Sequence, residues 1–319
     1  MTFKSEKFYK KARILTILIV VVLILFAVFY SYGMFLIYKI NKTAENISNL
    51  RQQYNVNLKD LGLNPQGFLL NTRKIDNNRT LELYGKNDVL IKEIRDNTTI
   101  LGKDIKLAKR LVIPRKYRVD LLDKYEKILR LDLRIIDEIA SPANDFDQIT
   151  AEYWQEGYLK ATEIINNITE DRDRGDKSNM QGYLEEMKKI NGMHKIYEEK
   201  VGPVLDEVYK TLPNHKKDYR IWIRHEGDYY LYWEKYCEAV VNKDDKNISY
   251  YTNKINTEGD WLVANPSKEI TDEVIEGRIF PWNVEIGEIG IQEKRLWNEI
   301  YLLKPFYLPK VTFVYDVMN

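Results

Sequence analysis

The sequence predicts an all-α protein, with a single transmembrane helix near its start and then an extracytoplasmic bundle of about six to eight amphipathic helices. Three observations predict it. Twenty-five residues from Ile14 to Tyr38 carry no charge, between Arg13 and Lys39. The 319 residues include only 15 Gly and 9 Pro, too few for a fold built on tight turns. Beyond residue 40, apolar side chains recur at steps of three and four, the repeat of one helix face.

A hydrocarbon core about 30 Å thick needs roughly 20 apolar residues of helix, and Ile14–Tyr38 exceeds that. A cleaved signal peptide has an apolar region of about 7–15 residues and a small-residue cleavage site. This run is longer and lacks an Ala-x-Ala pattern, so a retained anchor is expected. Lys4, Lys7, Lys10, Lys11 and Arg13 precede it against one acid, Glu6, whereas Lys39, Lys42 and Arg51 are more thinly spread beyond it. Positive flanks stay cytoplasmic. Residues 1–13 therefore form a basic cytoplasmic tail, 14–38 span the cell membrane once, and the bulk of the chain lies outside. Tyr30, Tyr32 and Tyr38 suit the interfacial aromatic belt, with Lys39 able to snorkel past it.

Residues 39–80 read as a juxtamembrane helix and a connection. Ile47, Leu50, Tyr54, Leu58 and Leu61 mark a helix able to run straight on from the span, and Gly62 and Pro65 end it. The extracytoplasmic helical domain is 81–319. Leu90, Ile94, Leu101, Ile105 and Ala108 carry a helix from about Asn87 to Leu111, punctuated by Pro114. From Arg115 to Ala140 the stripe is Leu122, Tyr125, Leu129, Ile136 and Ile139, with Glu126, Arg130 and Asp132 on the charged face. Ser141-Pro142 stops it, and Asp145–Ile168 forms the next helix. Glu170–Lys177 is a charge run that reads as a solvated turn.

Ser178–Leu212 follows, with His194 on its apolar face and a kink at Gly202-Pro203. Pro213 opens a helix to about Asn242, with Trp222, Ile223, Tyr230, Trp233, Cys237 and Val240 inward. Lys243–Lys246 turns it into a shorter helix reaching Leu262, and Pro266 breaks that. Ile286–Leu303 is the last helix, and residues 308–315 alternate like a strand. Tyr117-Arg-Val and Tyr219-Arg-Ile each follow a proline and open a helix, a weak echo that suggests two related hairpins, 115–168 and 213–262.

The chain is formally +1; residues 1–13 contribute +4 and Lys39 +1, which leaves −4 for residues 40–319. No electrostatic footprint for nucleic acid results, whereas the basic tail suits an anionic inner leaflet. One cysteine, Cys237, excludes an internal disulfide, and its apolar neighbours mark it as a small buried hydrophobe rather than a nucleophile.

Chemistry-bearing motifs are absent from the sequence. His225-Glu226-Gly227-Asp228-Tyr229 lacks the second histidine of a zinc-protease helix. None of His194, His215 and His225 has a Glu three residues before it, as a di-iron bundle requires. Phosphate loops and nucleophile elbows are missing too. No catalytic, cofactor or metal residue is assigned, and no cofactor is expected. The densest aromatic cluster runs from Tyr229 to Tyr236. Its rings point around the helix, so Tyr229, Tyr232 and Tyr236 are the candidate partner or ligand surface, weighed against a tyrosine-rich core.

The expected function is a membrane-anchored binding or scaffold module without catalysis, partnered by the lipid bilayer and another membrane or envelope protein. Two alternatives stay open. One is an envelope enzyme or metal-binding protein whose scattered His and acidic residues converge in three dimensions. The other is solute or cell-wall recognition through an aromatic groove at Tyr229–Tyr236.

Overall fold

The computed structural model describes residues 3–61, 78–111, 116–205, 219–265 and 281–302; these are almost entirely helical and include no strand. In chain order the elements are α1 (Phe3–Asp60), α2 (Asn78–Leu111), α3 (Lys116–Ile135), α4 (Ser141–Glu152), α5 (Lys160–Arg174), α6 (Met180–Lys200), α7 (Tyr219–Val241), α8 (Asp245–Ala264) and α9 (Pro281–Leu302). The expected breaks at Pro65, Pro114, Pro213 and Pro266, His215, and the alternating segment 308–315 lie outside the described residues.

Helix α1 is one unbroken helix of 58 residues, about 87 Å at 1.5 Å per residue. Gly33 is its single glycine and no proline interrupts it, so nothing in the sequence opens its hydrogen-bond ladder. Residues 11–32 are exposed on every side; from Gly33 onward one face is buried. Leu36 and Ile37, inside the expected span 14–38, are already packed against protein.

Ser141-Pro142 does not stop the third helix. No residue between Lys116 and Arg174 leaves helical geometry, so 115–168 is not a hairpin. A π-helical turn, Ile136–Ala140, stands directly before the proline. Proline cannot donate to the carbonyl four residues back, and its ring presses on that carbonyl. The wider turn re-registers the ladder directly before Pro142, where the proline supplies no donor. A second π turn, Tyr153–Leu159, joins α4 to α5.

Helix α5 runs into the expected turn and ends at Gly175, whose φ of 72° closes it with N–H bonds back to Arg172 and Asp171. Buried Asp171 accepts from Tyr183 Oη at 2.9 Å and Asn179 Nδ2 at 3.1 Å, so this stretch is not wholly solvated. The α6 helix ends at Lys200 and a new turn begins at Gly202. Helices α7 and α8 pack as a hairpin through Asn242–Asp244. Lys243 adopts φ 56° there, and Asp244 caps α8 by accepting from the Asn247 N–H.

The chain forms two compact units, each built from separated segments. Unit 1 comprises residues 1–53, 92–136 and 289–319. Its core joins Ile40, Ala44 and Ile47 to Ile94, Leu101 and Ile105, and Tyr125 to Trp297 edge-on at 5.8 Å. Helices α1 and α2 are antiparallel there: Lys39 pairs with Asp104 at 2.9 Å and Asn46 meets Asn97 at 3.4 Å. Asp132, assigned by its sequence to the charged face, is buried, and so is Glu126. Burial raises the Asp132 carboxyl to about 6, while Arg51 and a hydrogen bond with Glu293 pull it down.

Unit 2 comprises residues 54–91 and 137–288, and α7 lies between α6 and α8. Ile164, Ile168, Leu184, Met187, Ile190, Ile223, Trp233 and Cys237 fill it.

Candidate functional site

A buried polar cluster inside unit 2 is built by three stretches: the second π turn, α6 and α7. Glu226 on α7 is 2% exposed and His194 on α6 is 3% exposed. The Tyr153 hydroxyl donates to Glu226 Oε2 at 2.6 Å, and Tyr230, one turn along α7, donates to Oε1 at 3.4 Å. His194 Nε2 stands 3.5 Å from the same carboxylate. Tyr153 stacks on Tyr197 with centroids 4.2 Å apart, and His194 sits edge-on to both Tyr153 and Tyr230.

Two glycines make room for these rings. A Cβ on Gly227 would lie 2.6 Å from the His194 ring, and one on Gly157 would lie 2.7 Å from the Tyr153 ring. Burial first, and Glu226 second, push the Tyr153 and Tyr230 phenols well above their ordinary range. Both therefore stay protonated and act as donors. A carboxylate held this way fixes helix register, because a buried acceptor deprived of its donors carries its full desolvation cost.

His225, next along α7, meets a different neighbour. Its Nδ1 is 2.5 Å from Glu258 Oε2, and its ring stacks on Trp261 at 3.7 Å. This pair is partly exposed. The two described histidines therefore do not converge: His194 meets Glu226 in the interior and His225 meets Glu258 near the surface. Among the described residues no three His, Cys, Asp or Glu side chains are placed to hold a metal ion. Burial pushes the Cys237 thiol up to about 12, so it is no thiolate at neutral pH.

The three predicted tyrosines divide. Tyr229 and Tyr232 are half-buried, whereas Tyr236 is 4% exposed and packs edge-on against Trp233 at 5.6 Å. Tyr236 therefore does not line a surface, because α6 and α8 together cover most of the circumference of α7. An aromatic face instead combines half-buried Tyr232 and Tyr251 with exposed Tyr250 of α8. Tyr232 stacks on Tyr251 at 6.4 Å, and Lys254 Nζ lies 5.9 Å from the centres of both Tyr232 and Tyr250. Sequence reasoning missed Tyr250 and Tyr251, which only the α7–α8 hairpin brings beside Tyr232.

Unit 1 carries a groove of about 550 Å³ where the exposed part of α1 meets α2, lined by Phe35, Tyr38, Lys39, Lys42 and a set of asparagines. Compared with known proteins, the chain matches no family model, no curated protein and no solved structure.

Proposed function

We propose that the chain is a membrane-anchored, extracytoplasmic helical binding or scaffold module, without catalysis, that holds another membrane or envelope protein. The observation that carries this reading is α1. Its residues 14–32 are exposed all round, uncharged and mostly apolar, and nineteen such residues extend about 28 Å, matching a hydrocarbon core of about 30 Å. The same helix then becomes a core element of unit 1, so anchor and bundle are one piece. The span is accordingly Ile14–Tyr32, shorter than the uncharged run. The basic flank of residues 1–13 keeps the amino terminus inside. The partner surface is the α7–α8 face at Tyr232, Tyr250 and Tyr251, since protruding tyrosines anchor interfaces.

Cys237 is buried, so single introduced cysteines report topology against a low background. Asn253→Cys labels with a membrane-impermeant maleimide in intact cells, and Lys7→Cys labels only after lysis. The reverse pattern overturns the orientation, and release of the chain from membranes by alkaline carbonate overturns the anchor. A membrane protein that copurifies with the wild type and is lost from Tyr232→Ala/Tyr250→Ala, with fractionation and melting unchanged, supports the scaffold reading. Retention of every partner by that variant removes this face from it.

A further inference from the structure

The exposed face of α1 continues past the point where its other face is covered. Tyr32, Phe35 and Tyr38 follow at three-residue steps, Tyr32 stacks on Phe35 at 6.4 Å, and Phe35 and Tyr38 are 57% and 60% exposed. The groove of about 550 Å³ opens there, within the size range of small-ligand sites.

Its lining changes character along the helix axis. Nearest the exposed apolar segment are Phe35 and Tyr38, then the ammonium groups of Lys39 and Lys42, then the amides of Asn46, Asn49 and Asn97 with Glu45 beside them. Lys39 shares its charge with Asp104 at 2.9 Å. Among the described residues Lys42 has the ring of Tyr38 as its companion, at 5.9 Å, and no carboxylate. Helical side chains lean toward the amino terminus, so Lys42 holds its charge about one turn nearer the apolar segment than its own Cα. That level is about 9 Å past Tyr32 along the axis, in the headgroup layer rather than the hydrocarbon.

We propose that this groove binds the headgroup of an anionic phospholipid of the phosphatidylglycerol class. The phosphate sits on Lys42 and Lys39, the glycerol hydroxyls face the asparagine amides and Glu45, and the acyl chains run back along Tyr38, Phe35 and Tyr32. The order of the lining, apolar then cationic then amide, repeats the order of chain, phosphate and hydroxylated head in such a lipid. The proposal rests on the membrane-anchor reading of α1.

The test is native mass spectrometry of the full-length protein in detergent, titrated with phosphatidylglycerol, with phosphatidylcholine of the same acyl chains, and with glycerol 3-phosphate. Two variants accompany the wild type, Lys42→Gln and Arg110→Gln. Each step along α2 lies one step back along α1, so exposed Arg110 is level with Gly33, equally close to the bilayer and outside the groove. The wild type retains phosphatidylglycerol in preference to phosphatidylcholine. Lys42→Gln lowers that retention about fivefold, as expected for one basic contact to an anionic lipid, with melting temperature unchanged, and Arg110→Gln leaves it unaltered.

Equal retention of the two lipids, or equal loss in both variants, overturns the site. Binding of glycerol 3-phosphate as tight as that of the lipid reassigns the groove to a soluble phosphate and overturns the lipid. Membrane fractionation of the same preparations separates the two readings: a chain that pellets with membranes yet shows no lipid preference defeats this inference alone, and a chain that does not pellet defeats the anchor.

Discussion

Glu226 illustrates how a single buried acid constrains its surroundings. Removing the Tyr153 hydroxyl in Tyr153→Phe leaves the carboxylate without its shortest donor and costs about 1–3 kcal/mol. Chemical denaturation measures the loss, and Tyr153→Phe combined with Glu226→Gln shows non-additivity, because the two groups share one network. The glycines differ just as sharply. Gly227→Ala drives a methyl into the His194 ring and costs about 1–3 kcal/mol, whereas Gly182 has open space around it, so Gly182→Ala gains up to about 1 kcal/mol. Buried Asp147 supplies the pH dependence, since burial holds its carboxyl well above its ordinary range. An acid raised by folding binds its proton more tightly in the native state than in the unfolded chain. Its contribution is therefore full below the unfolded value and falls as pH rises toward the folded one; Asp132 adds the same sign up to about 6. Thermal melts between pH 4 and 7 show stability declining through that window, and Asp147→Asn flattens the decline and raises the melting temperature at pH 7.

At the scale of elements, the apolar stripes were legible and their interruptions were not. Trp222, Ile223, Tyr230 and Trp233 leave a gap at 226, and Leu129 and Ile136 leave one at 132. In both gaps an acid takes a position where the helix repeat requires burial. Reading Asp132 as solvent-facing follows its residue type, whereas the periodicity already marked it as interior. The candidate surface was partly legible for the same reason: Tyr232 belongs to the cluster read from α7, but Tyr250 and Tyr251 reach it only through pairing of α7 with α8. Pro142 misled in the other direction, because nothing in its neighbourhood signals that a π turn will absorb it. The α8 cap gives a direct test: Asp244→Ala removes the acceptor for the Asn247 N–H and costs about 1 kcal/mol, read from the melting temperature.

Across the whole molecule, neither unit is a contiguous stretch of sequence. Unit 1 needs residues 289–319 as well as 1–53 and 92–136, and Trp297 is almost fully buried there. A chain ending at residue 280 loses that side chain from the core, where such deletions cost about 3–5 kcal/mol for the tryptophan alone. Its unit 1 therefore unfolds at lower denaturant than in the full chain, and hydrogen exchange across 92–136 reports it. No composition shift announced this interleaving, because each segment is as amphipathic as the next.

The unbroken course of α1 has a mechanical corollary. A hinge of glycine or proline would let a lipid-embedded stretch tilt by itself when bilayer thickness changes; here no such joint exists between Tyr32 and Asp60 except Gly33, which is helical. On the membrane-anchor reading proposed above, thickening or thinning of the surrounding lipid, which most single spans absorb by leaning, would be transmitted as a rotation of the rod on which unit 1 is assembled.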